Sequence, residues 1–393
     1  MRRALVVSAT IIMLCATSGF ADTIVEQAFV PLSPAIMGQG GSYIASAQGY
    51  NSFFYNPAGF SRGTGGFTAL SSSTWIFSRP DLLLGQITQN IVGSQTSSSL
   101  LNYINSQITT GGLGIGSSLG FGYIGNGFGL GSVFIMNSSL YGATALGATG
   151  DLTATLGFIG GFSFPFVLAD NIKIHAGADI RPMIRMHTPI TNSTAVALLT
   201  ALTSGGDVGN ALNSATTVYG SGIGLDLGVI AELWWFNLGL SIRDLGGTRF
   251  NYATNTFGSV TGNVALHGSF PSGGQATDTY VIPMDIGFGF AFHPDMGKTN
   301  LFFDPIIDFD MRDINGIIDG TANFWTLLHF GTEIRLINLF AIRAGLNQGY
   351  LTAGVGIKVF AFDLNMAVFT EELGLHLGDR PASGVTFSLD VKI

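Results

Sequence analysis

Apolar and polar side chains alternate one by one through long stretches of this chain. Between positions 172 and 187, isoleucine, alanine, proline and methionine fill the even positions, while every lysine, arginine, aspartate and histidine falls on an odd one. A β-strand points successive side chains to opposite faces, so this period of two collects the charge on one face, whereas a helix would spread it all round. The same alternation recurs at 301–312 and 385–393. The pattern predicts strands with one apolar and one polar face.

The composition indicates where the apolar faces point. Charged residues make up 10% of the chain, where about 25% is usual. After position 21, however, no apolar run reaches the roughly 18 residues that a transmembrane helix needs. A closed barrel satisfies every backbone hydrogen bond in lipid with strands of merely alternating hydrophobicity. The sequence therefore predicts an all-β fold, a transmembrane antiparallel β-barrel with lipid outside and a polar lumen.

Connection lengths support the barrel. We count about 14 alternating segments, and with one exception at 348–349 the connections between them alternate between short and long. Outer-membrane barrels have short periplasmic turns and longer outer loops, so both chain ends should be periplasmic. The predicted strands are 67–78, 113–124, 128–141, 151–164, 172–187, 218–233, 235–245, 281–292, 299–312, 325–337, 339–347, 350–360, 361–371 and 383–393.

The N-terminus is typical of an exported protein. Residues 1–21 predict a signal peptide, because Arg2 and Arg3 precede a short apolar stretch and small residues that fit cleavage after Ala21. Cys15 leaves a lipoprotein anchor as the alternative. Cleavage removes the only cysteine and makes the formal charge more negative than −8, which argues against thiol chemistry and against nucleic-acid partners.

Enzyme motifs occur only in settings that do not suit them. The nucleophile-elbow pattern at 116–120 lies inside an alternating segment with no helix after it, and the phosphate-loop-like 297–299 lacks its first glycine. The six histidines have no metal-ligand spacing. We therefore expect no catalytic residues, no metal site and no cofactor.

Residues 22–66 precede the first strand and lack its alternation. They are rich in proline and glycine and contain apolar residues such as Phe53 and Phe54, too many for a solvated tail. We predict that this segment plugs the lumen as a hatch, within a barrel of residues 67–393. The lumen charges, of both signs, should pair with one another; a charged permeation path is the alternative.

Two long outer connections, 79–112 and 188–217, carry apolar residues at helical spacing. Apolar faces on exposed loops indicate either a lid in which the inserts pack together or an apolar groove for a ligand. The candidate ligand-binding residues are Leu83, Ile87, Ile91, Leu101, Leu198, Leu199 and Leu202, together with Phe53 and Phe54 from the hatch.

Two motifs carry a family resemblance. Residues 37–45 (MGQGGSYIA) followed by 54–60 (FYNPAGF) resemble the hatch of the FadL long-chain fatty-acid transporters and, equally, that of the related PorV proteins. Segments 239–246, 343–347 and 369–374 are similar to an uncharacterised FadL-like group of spirochaetes. The likeness covers nearly the whole chain after the signal peptide, although Ile393 stands where barrel assembly signals usually end in an aromatic residue.

The resemblance implies passive import of hydrophobic small molecules across the outer membrane. A ligand such as a long-chain fatty acid would be captured on the outer loops and pass a hatch whose gate residues are Gly40, Gly41, Asn56, Pro57 and Ala58. The expected partners are that ligand, outer-membrane lipid and the barrel assembly machinery, with the oligomeric state open between a monomer and an unknown oligomer. The alternative is a PorV-like docking module for secreted proteins, which does not need a continuous apolar cavity from the outer loops to the hatch.

Overall fold

The computed structural model describes residues 23–63, 65–77, 106, 108, 112–144, 147–204, 206–271, 274–275, 279–320 and 322–393. Its strands are β1 (Thr23–Val25), β2 (Gly66–Phe77), β3 (Leu113–Gly125), β4 (Phe128–Tyr141), β5 (Thr149–Ala169), β6 (Ile172–Ile190), β7 (Thr216–Leu233), β8 (Phe236–Arg243), β9 (Thr248–Thr256), β10 (Gly274–Gln275), β11 (Thr279–Ile282), β12 (Asp285–Phe292), β13 (Phe303–Met311), β14 (Leu328–Leu336), β15 (Phe340–Asn347), β16 (Tyr350–Val359), β17 (Phe362–Glu372) and β18 (Pro381–Lys392).

The long strands form a closed antiparallel wall. Each pairs with the next along the chain, and β18 closes the ring by pairing with β2 from Gly384↔Phe77 to Lys392↔Thr68. The strands β8 and β9 pair with successive stretches of β7 and so share one wall position, and β12 and β11 share the next. The result is the predicted barrel of 14 wall strands, and all 14 predicted segments coincide with it.

The wall exposes its apolar face and buries its polar one. Leu119 and Phe121 are each 53% exposed beside the buried Ser118, and Leu225 is 45% exposed beside Asp226, which is 1% exposed. A continuous apolar exterior of this kind would be costly in water and is the surface that transmembrane barrels turn to lipid. The predicted outer-membrane location is confirmed.

Helices of the structure are short. They are α1 (Pro34–Met37), α2 (Ser52–Tyr55), α3 (Asn192–Ser204), α4 (Val208–Leu212), α5 (Phe257–His267) and α6 (Ile314–Asp319), with 3₁₀ turns at Gly49–Asn51, Pro57–Ser61, Gly297–Leu301 and Phe324–Leu327. Within the described ranges, none is long and apolar enough to cross a membrane.

Apart from Gln348–Gly349, the short turns lie at one end of the barrel, which we term the periplasmic end, and α3 to α6 lie at the other, the outer end. Tight turns there need left-handed backbone, which Asn126, Trp234 and Phe360 adopt at φ of 55°, 57° and 53°. The predicted alternation of short and long connections is thus present in the fold.

One predicted loop is wrong in part. The stretch 246–280 was expected to be a long connection, yet it contains β9 and α5. The reason is that β9 reverses the wall pattern: Phe250 and Tyr252 are buried, whereas Arg249 and Asn251 are exposed. A strand with a polar exterior fits the part of the wall above the lipid, and an apolar-out pattern does not identify it.

Candidate functional site

Residues 26–63, the N-terminal segment below, run through the lumen. The segment contacts wall strands on all sides: Phe53 lies against β3 and β4, Pro57 against β6, Asn56 against β7, Ala45 against β8 and β12, and Gly38 against β16. A chain that reaches strands around the whole ring from their buried faces lies inside the barrel. It joins β2 at the periplasmic end, and β1 pairs in parallel with β11 towards the outer end.

Wall glycines make room for the segment. A methyl group on Gly239 would lie 2.9 Å from the Ala45 Cα, and one on Gly177 would lie 2.5 Å from the Pro57 carbonyl oxygen. On Gly331 or Gly345 it would overlap the backbone at Gln39 and Gly40. These glycines line the lumen because any larger side chain would occupy the space of the segment's own backbone.

Polar wall residues hold the glycine turn at 38–44 by its backbone. The Thr352 hydroxyl accepts from the Gly40 N–H at 3.0 Å and donates to the Gly38 carbonyl at 3.2 Å. The Asp310 carboxylate accepts from the N–H groups of Tyr43 at 2.6 Å and Ile44 at 3.0 Å. The turn needs glycine because Gly40 and Gly41 have φ of 66° and 81°.

Two further wall residues complete this contact. His329 Nδ1 lies 2.9 Å from the Gly40 carbonyl, and Arg312 donates to the Gly41 carbonyl while its guanidinium lies 5.3 Å from the Tyr55 ring centroid. The carbonyls at these two predicted gate positions are thus bound by wall side chains.

Asn56 is the polar centre of the Asn-Pro-Ala motif. It is completely buried, and its Nδ2 donates to the carbonyls of Ile44, Val229 and Leu240 at 3.1 to 3.3 Å. Its Oδ1 accepts from the Ala58 N–H at 3.0 Å, which starts the 3₁₀ turn at Pro57. One amide therefore joins two parts of the segment to two wall strands.

Phe53 and Phe54 lie inside an aromatic cluster. Both are at most 1% exposed, and each makes edge contacts with Tyr50, at 5.6 and 5.8 Å between ring centroids. Phe53 also contacts Phe60 at 5.5 Å, and Phe54 contacts Phe29 at 6.3 Å. A ligand can reach these two predicted binding residues only if the cluster opens.

Ion pairs fix the two ends of the segment. Glu26 accepts from Arg185 at 3.0 Å and contacts His187 Nδ1 at 2.8 Å, while Arg62 donates to Glu232 at 2.8 Å. Burial raises the pKa of Glu26, but the hydrogen bond and charge of His187 and the charge of Arg185 outweigh it and lower the pKa. Sequence reasoning missed Glu26, because a single acid before a glycine-rich stretch carries no pattern.

The remaining lumen charges mostly pair within the wall, as expected. Arg181 lies 2.6 Å from Asp226 and 3.0 Å from Asp244, and Glu333 lies 2.5 Å from both Arg335 and Arg343. No group of three or more potential metal ligands is arranged around a common point in the part of the chain that the structure describes.

The outer helices pack on one another. Leu198 and Leu199 of α3 are buried against Ile108, Ile190 and Leu212, the arrangement expected of a lid. The backbone of Leu202 continues α3. The other candidates of this set, Leu83, Ile87, Ile91 and Leu101, lie outside the described residues.

Two cavities open at the periplasmic end. One of about 500 Å³ lies between the segment, at Ile36 and Tyr50, and the wall around Phe340 and Lys358. The other, of about 460 Å³, lies between the turn at Trp234 and the 3₁₀ turn at Gly297–Leu301. Both have mixed polar and apolar linings.

Comparisons with known proteins give structural likeness only. No protein-family model matches this chain, and no curated protein matches it in sequence. The solved structure of the toluene transporter TbuX from Ralstonia pickettii is similar with a TM-score of 0.48 and 14% identity over 93% of this chain and 98% of that one.

Two other structures are similar to the same degree. A FadL homologue from Pseudomonas aeruginosa has a TM-score of 0.46 and 11% identity, covering 95% of this chain and 99% of that one. The toluene transporter TodX from Pseudomonas putida has a TM-score of 0.45 and 12% identity, covering 94% and 98%. One of these structures is a FadL homologue, the type of protein that the motifs at 37–45 and 54–60 resemble.

Proposed function

We propose that the protein lets hydrophobic small molecules, long-chain fatty acids above all, cross the outer membrane passively, with residues 22–66 acting as a movable hatch. The observation that carries this proposal is a closed, lipid-facing wall whose lumen is filled by a separate segment, with the glycine turn at 38–44 bound through its backbone. A wall that only had to be filled could use its own side chains. A filling made by a segment outside the wall's own strand ladder favours a path that can open.

The contacts of the segment suit a part that moves. Between its two ion-paired ends, the segment is held by neutral or singly charged hydrogen bonds and by contacts with wall glycines. Each neutral hydrogen bond contributes about 1 kcal/mol net, and each hydrogen bond to a charged group about 1.5 to 3 kcal/mol. Contacts of this size can open locally while the wall strands stay paired. The proposed gate residues, Gly40, Gly41 and Asn56 to Ala58, all lie between the two ends.

Ligand capture is assigned to the outer inserts. Leu198 and Leu199 belong to an apolar cluster at the outer end, and we place Leu202 and the leucines and isoleucines of 79–112 in the same capture surface. An acyl chain would insert among these side chains, pass the aromatic cluster of Phe53 and Phe54 as the hatch shifts, and reach the periplasmic end. Toluene, the ligand of the transporters named above, is likewise a hydrophobic small molecule. The path described here is inferred from the residues of this chain alone.

A surface-docking role is the second candidate. It is favoured by the packing of the outer half of the lumen, where Trp75, Phe250 and Tyr252 are buried, and by the position of both cavities at the periplasmic end. A docking module needs no apolar path through the barrel. Import requires that this packed state open.

Chain-length dependence separates the two candidates. Burying one ligand methylene is worth about 0.8 kcal/mol, roughly a fourfold gain in affinity. We therefore expect affinity of the purified protein for saturated fatty acids to rise steeply from eight to twelve carbons, and vesicles containing the protein to take them up faster than empty vesicles. Binding that does not depend on chain length, with no faster uptake, would contradict import and favour docking.

A further inference from the structure

The larger periplasmic cavity combines an apolar side with a charged rim. Ala35, Ile36 and Tyr50 of the N-terminal segment line its inner side, and Ile124 and Ala341, on the lumen faces of β3 and β15, line the wall beside them. The charged side chains come from the periplasmic ends of β14 to β18. At about 500 Å³ it falls within the size range of small-molecule sites. An amphiphile would fit this division, with its chain inside and its headgroup at the rim.

The charges of the rim do not cancel. Four basic residues line the cavity, and three of them form ion pairs. Arg335 and Arg343 both contact Glu333 at 2.5 Å, and Lys392 contacts Asp363 at 2.8 Å. The third acid of the lining, Asp390, is hydrogen-bonded to Ser71. Lys358 remains, and it makes no ion pair or hydrogen bond through its ammonium group with any described residue.

The position of Lys358 suits a ligand rather than a wall contact. It lies on the lumen face of β16, because its alternate neighbours Gly354 and Gly356 are buried against the segment and against Arg343 and Asn365. Its cross-strand partner is Asp363, whose carboxylate already faces Lys392. The lysine is exposed within the cavity lining and is the one basic residue of the rim without an ion pair to a described residue.

We propose that this cavity is an exit site for anionic amphiphiles, in which Lys358 binds the carboxylate while the apolar side takes the chain. The inference rests on the proposed function and deepens it, since it assigns the ligand a carboxylate, which a neutral hydrocarbon lacks. A molecule released by the hatch at Ile36 and Tyr50 would enter this cavity before reaching the periplasm. The lysine would orient it with the headgroup towards water.

The test uses the full-length protein in detergent and a twelve-carbon fatty acid bearing a photoreactive diazirine on its chain. Cross-linked residues are mapped by mass spectrometry in the wild type, in Lys358→Glu and in Lys358→Gln. We expect cross-links at Ile36, Tyr50, Ile124 or Ala341, reduced about fivefold by Lys358→Glu, the effect of reversing one partly exposed charge, and less by Lys358→Gln. The corresponding diazirine alcohol should cross-link equally in all three proteins.

Lys298→Glu is the matched control. It makes the same charge change at the same end of the barrel, on an exposed turn that does not line the cavity, and it should leave the cross-links unchanged. Heat resistance of each variant on gels shows that the barrel has folded. Cross-links outside the cavity, or equal losses in Lys358→Glu and Lys298→Glu, would overturn the site. If wild-type vesicles take up the fatty acid while the cavity stays unlabelled, this inference fails and the proposed function stands; no uptake at all refutes the function itself.

Discussion

Single side chains from the wall bind the backbone of the N-terminal segment, and this arrangement limits what its sequence reveals. Asp310 could be assigned to the lumen because it lies on the polar face of an alternating strand. Its partners are the backbone N–H groups of Tyr43 and Ile44. Every residue except proline has such a group, so the sequence does not show which of them Asp310 binds. Asn56 could be recognised because Asn-Pro-Ala is a motif, whereas Thr352 and Glu26 are isolated residues without one.

Asn56→Ala tests the polar centre of the segment. The change removes three donated hydrogen bonds and the one that Oδ1 accepts from the Ala58 N–H. We expect local opening of residues 38–62 to become easier by about 2 kcal/mol, or roughly thirtyfold faster amide exchange. Hydrogen exchange followed by mass spectrometry measures this directly, and the wall strands should keep their protection and heat resistance.

Asn251→Ala is the control at this scale, because Asn251 is exposed on β9 and lies outside the segment. It should alter neither the exchange of residues 38–62 nor the stability of the wall. Slow exchange of the segment in Asn56→Ala, or loss of the folded barrel, would mean that Asn56 does not hold the segment in the way described.

Whole strands were predicted well because a lipid exterior imposes a strict period of two. The prediction of 128–141 matches β4 exactly in its limits, and 113–124 falls one residue short of β3. The rule fails where lipid ends: β9 has a polar exterior and was predicted as loop, and α5 follows it with only moderate apolar content. Short helices of the segment depend on contacts with the wall, which local sequence does not contain.

Gly345→Ala tests the fit between wall strands and segment. A methyl group at this position overlaps the backbone of Gln39 and Gly40, so the segment must shift. We expect a loss of about 1 to 3 kcal/mol, as for other overpacked sites, expressed as loosening of residues 36–44 in proteolysis and exchange. In a hatch that opens more easily, basal uptake should rise.

Gly160→Ala provides the comparison, since its methyl group would meet Leu130 Cδ1 at an ordinary 3.7 Å. That variant should behave as the wild type. Equal behaviour of the two variants would show that the wall glycines do not shape the position of the segment.

At the scale of the whole molecule, the barrel and the segment have different kinds of bonding. Continuous backbone ladders close the wall from β2 to β18, whereas the segment is attached by scattered contacts and two ion-paired ends. The class of fold could be read from alternation, turn lengths and low charge. The contacts between the N-terminal segment and the wall strands could not be predicted from the sequence, because they depend on the shape of the space that the closed wall encloses.

Uptake by vesicles that contain a cross-linkable hatch tests the central claim most directly. Met37 of the segment packs with Ala367 of β17 in a small buried cluster, so Met37→Cys with Ala367→Cys can tie the hatch to the wall. Ser73→Cys with Ser118→Cys, whose hydroxyls lie 2.7 Å apart on neighbouring wall strands, is a cross-link that leaves the hatch free. We predict that oxidation stops fatty-acid uptake in the first pair, that reduction restores it, and that the second pair transports in both states. Uptake at the wild-type rate with the Met37–Ala367 cross-link fully formed would contradict a hatch that must move.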